Sequence, residues 1–355
     1  MVREDTMPSR IIARAAGAAL LLFIVILGCP TQAKAREITD MVGRQVTIPD
    51  TIVKVYAASP PETMLVYAID PTLLAGRNRP ISKKCRRYVH PYMATIPEVG
   101  GYFGQGKTPN LEKLIEIRPD VVIGRKSNAR NDKLEAFLAE FKIPLTYIVI
   151  DELRQYPEAF LVAGKILGRP ERAKVLSEYT AKTLSRVVTK TSAMPEAEKV
   201  RVYYAEGPDG LSTENSTSIH AELINLAGGH NVHRHGKAGR YGNEKITLEK
   251  VMTYQPEVIF VDQPGFYKRI FSAPGWKTLP AVKNKRVYLT PKCPYNWFDR
   301  PPSFMRVLGL KWVADTLYPG LFDWDLREET REFFSIFLQQ EITTGEAEQL
   351  LGASK

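Results

Sequence analysis

Four of the five histidines lie within 16 positions of one another: His220, His230, His233 and His235. The last two belong to a loop rich in Gly and Lys, and Arg240 and Tyr241 follow a few residues later. Imidazole is a good ligand for divalent transition metals, and ligands on one loop need no helical spacing. We therefore take His233 and His235 as candidate contacts to a metal or a metal chelate, with Arg240 and Tyr241 beside them. The alternatives are a solvated basic loop and a histidine that caps a helix.

A basic and aromatic cluster occupies residues 83–92, which include Arg86 and Tyr88, and Tyr102 follows it. Basic side chains interleaved with aromatic rings suit a planar, anionic chelate. The same mixture suits single-stranded nucleic acid, and a solvated loop would need no ligand at all. The residue types leave these three interpretations open.

A third cluster, residues 294–303, reads P-Y-N-W-F-D-R-P-P-S and places Trp297 and Arg300 in a stiff loop between prolines. Such a loop can form a pocket wall or a hydrophobic plug beneath the C-terminal helix. The sequence contains no evident Ser-His-Asp order, no carboxylate pair at catalytic spacing and no G-x-S-x-G. The residue pattern therefore favours binding over catalysis.

Residues 101–108 read G-Y-F-G-Q-G-K-T and fit the G-x-x-x-x-G-K-[ST] pattern of a phosphate-binding loop. Such a loop must follow a buried strand and open a helix whose N–H groups face the phosphates. The residues before it form no strand-like apolar run, and Pro109 removes an N–H where phosphate would lie. We expect no nucleotide hydrolysis here, and we place this stretch at the rim or outer surface of a lobe.

An internal repeat indicates how these clusters are positioned. The segment N-L-E-K-L-I-E-I-R-P-D-V-V-I-G, from Asn110, recurs as T-L-E-K-V-M-T-Y-Q-P-E-V-I-F-V, from Thr247, at an offset of 137 residues. Asn and Thr are helix N-cap types, Pro119 and Pro256 end each helix, and a β-branched run follows. The repeat predicts a short helix feeding a buried strand in each of two duplicated α/β lobes.

A helical pattern at residues 156–192 separates the two halves, although G-R-P interrupts it at 168–170. We expect a stiff connecting helix, and two lobes so joined leave a cleft of the kind that binds small molecules. The predicted boundaries are a signal peptide at 1–35, an N-terminal lobe at 36–155, the connecting helix at 156–192, a C-terminal lobe at 193–318 and a C-terminal helical extension at 319–355.

The first 35 residues have the order of a secretory signal peptide. Basic residues precede an apolar run at residues 15–29, and Ala33 and Ala35 fit a cleavage site. The run also ends in I-L-G-C, which resembles a lipobox and would leave Cys29 acylated. Export to the periplasm is expected, and release and a lipid anchor at Cys29 both stay open.

The net charge limits the classes of partner that are expected, and the cysteine count limits the possible disulfides. The leader holds four Lys/Arg and two acids, so the chain without it carries a net charge of +8. In an exported protein this charge favours an anionic small ligand or the envelope surface over nucleic acid. Two cysteines remain, Cys85 and Cys293, and they either form one long-range disulfide or stay as separate thiols.

The ordered set of motifs resembles the substrate-binding proteins of ABC importers for iron siderophores, haem and cobalamin. The segments that carry the resemblance are R-E-I-T-D-M-V-G-R-Q-V-T-I-P from Arg36, P-N-L-E-K-L-I-E-I-R-P-D-V-V-I from Pro109, L-I-N-L-A-G-G-H-N-V from Leu223, I-T-L-E-K-V-M-T-Y-Q-P-E-V-I-F-V from Ile246 and W-K-T-L-P-A-V-K-N-K-R-V-Y from Trp276. The resemblance implies an α/β fold of two Rossmann-like lobes, joined by one long rigid helix, with the ligand cleft between them.

The resemblance also implies roles for particular residues. An exposed glutamate on each lobe, here Glu112 and Glu249, would dock onto arginines of the permease dimer; the alternative is that each only complements its helix dipole. Loops at the facing strand ends would meet the ligand, near Ser59, Arg77, Arg125, Tyr204, His235, Asp262 and Trp297.

The function so implied is capture of a metal chelate and its delivery to an ABC permease dimer with its ATPase subunits. No intrinsic cofactor and no nucleic-acid partner are expected, and the membrane is met only through the permease or an anchor at Cys29. The basic loops favour an anionic ferric siderophore, and haem, cobalamin and a nickel or cobalt chelate stay open. The alternative from another class is an exported metal-dependent α/β enzyme.

Overall fold

The computed structural model describes Met1 and residues 34–103, 107–126, 128–236 and 242–352. Most of the predicted signal peptide at 1–35, with Cys29, lies outside these residues. Within the described ranges, no helix has both the length and the apolar character needed to cross a bilayer.

The N-terminal lobe is built on a small parallel sheet in the order β3-β6-β7. Its three strands are fully buried, as expected for parallel strands covered on both faces. Two antiparallel hairpins, β1-β2 and β4-β5, complete the strand set. The strands are β1 (Ala35–Thr39), β2 (Gln45–Pro49), β3 (Val55–Ala57), β4 (Gly100–Phe103), β5 (Lys107–Pro109), β6 (Val121–Gly124) and β7 (Leu145–Tyr147). The helices are α1 (Pro60–Ile69), α2 (Leu111–Ile117) and α3 (Asn128–Glu140).

The connector expected over 156–192 is formed by two helices, α4 (Tyr156–Leu167) and α5 (Pro170–Ser192), which meet where the sequence shows the G-R-P interruption. Gly168 ends α4 in the left-handed conformation, at φ 67°. Gly164 lets the two helices meet closely, because a Cβ there would lie 2.2 Å from the Cβ of Ala173. Arg36 donates to the carbonyl of Ile166 at 2.9 Å, which ties α4 to the N-terminal lobe. Only α5 therefore remains as the long connecting helix.

The C-terminal lobe repeats the parallel architecture, with strands in the order β10-β8-β12-β13. Its strands are β8 (Arg201–Ala205), β9 (Ser212–Thr213), β10 (His230–Asn231), β11 (Glu244–Lys245), β12 (Val258–Val261) and β13 (Val287–Leu289). Its helices are α6 (Glu222–Leu226), α7 (Leu248–Tyr254), α8 (Pro264–Ile270), α9 (Pro280–Lys283) and α10 (Met305–Leu317). Short 3₁₀ turns in the two lobes and their links span Pro71–Leu73, Lys83–Tyr88, Pro91–Ala94, Leu153–Gln155, Glu196–Glu198 and Trp276–Thr278.

The repeat predicted from the sequence forms equivalent elements in the two lobes. Helices α2 and α7 have seven residues each and lead into the central strands β6 and β12. Each begins with the predicted cap: the Asn110 side chain accepts from the Lys113 N–H at 2.9 Å, and the Thr247 hydroxyl accepts from the Lys250 N–H at 3.3 Å. Each ends at a residue with positive φ, followed by the expected proline.

The C-terminal extension, 319–355 in the sequence prediction, crosses back onto the N-terminal lobe. It contains α11 (Leu326–Phe333), a π-helical turn (Phe334–Leu338) and α12 (Thr344–Gly352). Phe333, Phe334 and Phe337 are fully buried. The hydroxyl of Tyr67, on α1, donates to the carbonyl of Leu338 at 2.7 Å. The extension is therefore part of the core and not a loose tail.

A disulfide joins Cys85 and Cys293, which lie 208 positions apart. Their Cα atoms are 5.5 Å apart. Cys85 is on a 3₁₀ turn of the N-terminal lobe, and Cys293 follows β13 of the C-terminal lobe. Of the two alternatives that the sequence left open, the disulfide is the one that forms, and it ties the lobes together.

Candidate functional site

The carboxyl ends of β3 and β6 border a cleft of about 830 Å³ that residues of both lobes line. Ser59 comes two residues after β3 and Arg125 directly after β6. Asp151 lies beyond β7, and in the other lobe His220 and Arg300 reach the same space. Ligands of open α/β sheets bind outside the carboxyl ends of their strands. The cleft is therefore where the fold predicts a ligand.

The hairpin β4-β5 forms one wall of the cleft. Tyr102 donates its N–H to the carbonyl of Ala58 at 2.8 Å, beside the end of β3. Gly101 permits this approach, because a Cβ there would lie 2.4 Å from Nδ2 of Asn78. Tyr102 and Phe103 consequently line the cleft. Of the stretch that fits the phosphate-loop pattern, residues 101–103 and 107–108 belong to paired antiparallel strands, and the next helix begins only at Leu111, so Lys107 and Thr108 do not open a helix as such a loop requires.

Arg125 is charge-balanced within the N-terminal lobe. Its guanidinium lies 2.9 Å from a carboxylate oxygen of Asp151 and 3.8 Å from one of Glu62. Glu62 is fully buried, which raises the pKa of its carboxyl group, while Arg125 acts in the opposite direction. The Ser59 hydroxyl also donates to Glu62. Arg125 is accordingly held in place as a fixed donor at the edge of the cleft.

Arg79 and Lys126 are not balanced in this way. Both line the cleft, and neither forms an ion pair with any residue that the structure describes. The Arg79 guanidinium lies over the Phe103 ring, 5.5 Å from its centroid. Partial burial lowers the pKa of Arg79, and Tyr295 counteracts this. Two positive charges on the N-terminal side are thus available to a ligand.

Arg300, on the C-terminal side, lies within a cluster of buried acids. Its Nε is 3.0 Å from Glu206 and 3.4 Å from Asp299, and its Nη2 pairs with Glu214. Its Nη1 is 3.3 Å from Nε2 of His220. The three carboxylate side chains are at most 5% exposed, whereas that of Arg300 is 38% exposed. The guanidinium therefore shields the acids from the cleft.

Burial changes the protonation of this cluster. It raises the pKa of Glu214 to about 7, and it raises the pKa of Asp299 well above its usual range, helped by the nearby Glu206. For Arg300, burial opposes the charged form, but Asp299, Glu206 and Glu214 outweigh it and raise the pKa. At neutral pH Glu214 and Asp299 therefore hold part of their protons. The cluster then cancels little of the positive charge contributed by the N-terminal lobe.

Four of the residues singled out from the sequence line the cleft: Ser59, Tyr102, Arg125 and Arg300. Arg77 instead lies beside a smaller adjoining cavity. Its Nη1 donates to the carbonyls of Met93 and Ile96, at 3.1 and 2.5 Å. Arg77 therefore supports the loop that leads to the cleft.

Three aromatic candidates lie in the core, away from the cleft surface. Trp297 has no exposed surface, and its indole donates to the carbonyl of Cys293 at 2.9 Å. Tyr204 is equally buried, and its hydroxyl donates to Asp299 at 3.2 Å. Tyr88 packs edge-on against Phe334. No ligand can reach a fully buried ring. Trp297 and Tyr204 can therefore affect the cleft only indirectly, through their contacts with Cys293 and Asp299.

The remaining candidates are also outside the cleft lining. Asp262 is nearly buried and pairs with Lys292, and Arg86 is exposed on the turn that carries Cys85. His233 is buried, with Nδ1 2.9 Å from the Tyr254 hydroxyl and Nε2 2.7 Å from Glu244. The His233 ring therefore faces Tyr254 and Glu244 and does not line the cleft.

His235 is exposed on the following loop, and Arg240 and Tyr241 lie outside the described residues. In the parts of the chain that the structure describes, no group of three or more His, Cys, Asp or Glu is arranged to hold a metal ion.

The cleft also contains residues that the sequence did not single out as ligand contacts: Arg79, Phe103, Lys126, His220 and Asn243. Lys126 had a usable signal, because it follows Arg125 at the end of a predicted strand. Arg79 had none, since R-N-R at 77–79 does not show which arginine the turn directs inward.

Residues 76–294 match the sequence model of the periplasmic binding protein family. The chain belongs to this family. A solved structure of an ABC transporter solute binding protein from Sulfurospirillum deleyianum is 36% identical, covers 89% of this chain and 98% of its own, and superposes with a TM-score of 0.82. The relationship identifies this periplasmic binding protein as an ABC-transporter substrate-binding protein of the two-lobe type with a helical connector.

Among the curated relatives that carry ligand names, two show how different those ligands are. The molybdate-binding protein MolA of Haemophilus influenzae is 25% identical over 332 residues, which cover 85% of this chain and 90% of MolA. A vitamin B12-binding protein of Vibrio parahaemolyticus is 25% identical over 191 residues, which cover 54% of this chain and 66% of that protein. Molybdate and vitamin B12 differ in size and charge. These relatives therefore do not identify the ligand of this periplasmic binding protein, and its own cleft must indicate it.

Proposed function

We propose that this periplasmic binding protein captures an anionic metal chelate, of the ferric siderophore class, in the cleft between its lobes. The observation that carries the proposal is the pair of unbalanced cations, Arg79 and Lys126, beside the cleft. Arg125 and Arg300 add directed N–H donors that are already fixed by carboxylates. Charge-assisted hydrogen bonds from such groups are the strong contacts by which proteins hold anions.

The size and lining of the cleft favour a chelate over a bare ion. A volume of about 830 Å³ lies in the range of pockets that bury organic ligands. Tyr102 and Phe103 offer aromatic surface beside the cations. An oxyanion would leave most of this space to water, whereas an anionic chelate would contact both the charged and the aromatic walls.

A metal oxyanion is the second candidate. Its support is the relationship, over most of both chains, to MolA, which is a molybdate-binding protein. The same four basic side chains would serve a tetrahedral anion. Haem, cobalamin and nickel or cobalt chelates remain ligands to be tested, and an exported metal-dependent enzyme is the alternative from another class. The family relationship supports a binding role over that enzyme.

We further propose that the loaded protein docks through Glu112 and Glu249 onto a permease dimer with its ATPase subunits. Both glutamates are exposed, each in the first turn of a capped helix. Leu111 and Met252, on the same two helices, are exposed apolar residues that would add contact area. The equivalent positions on duplicated lobes suit a dimeric partner. The proposed location is the periplasm, by release or through an anchor at Cys29.

Calorimetric titration tests the ligand proposal. The purified protein is titrated in parallel with ferric complexes of catecholate, hydroxamate and citrate chelators, molybdate, haem, cobalamin and nickel–histidine. Saturable binding of a ferric chelate at one site, with no response to the metal-free chelator, supports the proposal. Tight binding of molybdate alone would replace it with the second candidate, and tight binding of cobalamin would contradict both.

A further inference from the structure

A second cavity of about 230 Å³ adjoins the cleft and belongs to both lobes. The two cavities share Pro60, Arg79, Arg300 and Pro301 as lining residues. One wall comes from the N-terminal lobe and includes Met64, Ile81 and Met93. The other comes from the residues around Cys293. The smaller cavity therefore opens into the cleft, and we call it the side compartment.

The disulfide holds the side compartment together. Ser82, on one wall, lies three residues before Cys85, and Lys292 and Pro294, on the other, flank Cys293. A covalent bond between the two walls limits how far they can separate. The space therefore persists as a preformed compartment, and a preformed pocket binds without an ordering cost.

Most of the exposed surface of the side compartment is apolar, although polar side chains also line it, and Arg79 and Arg300 lie at its junction with the cleft. Its apolar surface comes from proline, methionine and isoleucine side chains and the ring of Tyr295. Burial raises the pKa of Tyr295, so its hydroxyl stays neutral, and Arg79 lies near enough to interact with it. Arg77 contributes a buried Nε for which the described residues supply no hydrogen-bond acceptor. This pattern, an apolar chamber behind two arginines, matches a ligand that is charged at one end and apolar at the other.

We propose that the side compartment is a second ligand subsite, which takes an aryl or short alkyl arm of a ligand whose anionic part pairs with Arg79 and Arg300. The inference rests on the proposed function for the anionic part and adds the class of ligand: an amphiphilic anion or chelate with one apolar arm. The volume is sufficient, since a cavity of about 150 Å³ is enough to bind benzene. A chelate without such an arm would use only the main cleft.

The test uses 8-anilinonaphthalene-1-sulfonate, a fluorescent probe with one anionic group and aromatic rings. Ser82→Trp places an indole in the side compartment, and Ser82→Ala is its matched control. Ser82 is exposed and its side chain forms no cap hydrogen bond, so the control should leave the fold unchanged. We expect saturable one-to-one binding to wild type and to Ser82→Ala, and at least tenfold weaker binding to Ser82→Trp. Arg79→Ala should weaken binding as well.

Equal affinity of the two Ser82 variants, or no saturable binding of the probe to the wild-type protein, would overturn the subsite. If Ser82→Trp does not fold, Pro80→Trp on the same wall takes its place. Ferric dicitrate, which has no apolar arm, separates this inference from the proposed function. It should bind wild type and Ser82→Trp equally. If neither ferric dicitrate nor the ferric catecholate and hydroxamate complexes bind while the probe still distinguishes the Ser82 variants, the proposed function fails and the subsite stands.

Discussion

At the scale of single residues, the cleft divides its positive charges into two kinds. Arg125 and Arg300 are fixed by carboxylates, so they orient a ligand but add little net charge. Arg79 and Lys126 have no carboxylate partner among the described residues and supply the net charge. The affinity for an anion should therefore depend most on the second kind.

Arg79→Ala should weaken binding of the anionic ligand by about tenfold or more, because a hydrogen bond to a charged group contributes about 1.5–3 kcal/mol. Arg86→Ala is the matched control, since it removes an exposed arginine outside the cleft. Calorimetric titration of both variants measures the change. Equal affinities of the two variants would show that Arg79 does not contact the ligand.

The acids around Arg300 make binding depend on pH. The pKa of Glu214 is about 7, raised by burial, so this group gains a negative charge as the pH rises from 6 to 8. Added negative charge beside Arg300 repels an anion, and the affinity should fall severalfold, or about 1 kcal/mol. Glu214→Gln keeps the shape and removes the charge. In that variant the affinity should change little between pH 6 and 8. If the variant instead lost affinity with pH as steeply as the wild type, Glu214 would not be the group responsible.

At the scale of elements, the repeat was the part of the fold that sequence could predict. Helices α2 and α7 and strands β6 and β12 lie where the offset of 137 residues puts them, with the expected caps. Local rules determine these elements: an N-cap side chain, a helix period, and a proline before a β-branched run. Such signals lie within 15 residues and need no knowledge of the rest of the chain.

Other features of the fold and the cleft depend on tertiary contacts, which the sequence does not reveal. The G-R-P at 168–170 marked the break between α4 and α5, but the close packing of the two helices depends on Gly164 beside Ala173, and helical periodicity alone does not reveal that contact. The sequence left open whether the loop of Trp297 is a pocket wall or a hydrophobic plug, because aromatic residues between prolines occur in both, and only burial against the C-terminal extension separates the two. The direction of a side chain in an irregular loop follows from such packing, so Arg79 could not be distinguished from Arg77.

The capped helices also carry the docking prediction. Glu112→Arg combined with Glu249→Arg should stop uptake by cells while leaving ligand affinity unchanged, because both glutamates lie outside the cleft. Glu116→Arg, an exposed charge reversal later on α2, is the control and should leave uptake intact. Uptake by the double variant at the wild-type rate would refute docking at these positions.

At the scale of the whole molecule, three features join the two lobes. These are helix α5, the C-terminal extension that packs on α1, and the disulfide between Cys85 and Cys293. The extension buries a group of phenylalanines against the N-terminal lobe and α4. With these ties the lobes are expected to move little relative to one another.

Removing the disulfide tests how much it contributes to this arrangement. Cys85→Ser combined with Cys293→Ser should lower the free energy of unfolding by about 2–4 kcal/mol, since a long closed loop restricts the unfolded chain. Thermal unfolding followed by circular dichroism measures the loss. Reductant should lower the midpoint of the wild type and leave that of the double variant unchanged. Identical midpoints for the two proteins would show that the bond contributes nothing to stability.

The central claim, capture of an anionic metal chelate, is tested most directly on protein isolated from the periplasm of the cells that make it. Native mass spectrometry, paired with elemental analysis, identifies what the protein carries without added ligand. We expect one equivalent of iron together with an anionic organic chelator that bears an apolar arm. One equivalent of molybdenum with no organic component, or a bound cobalamin, would contradict it.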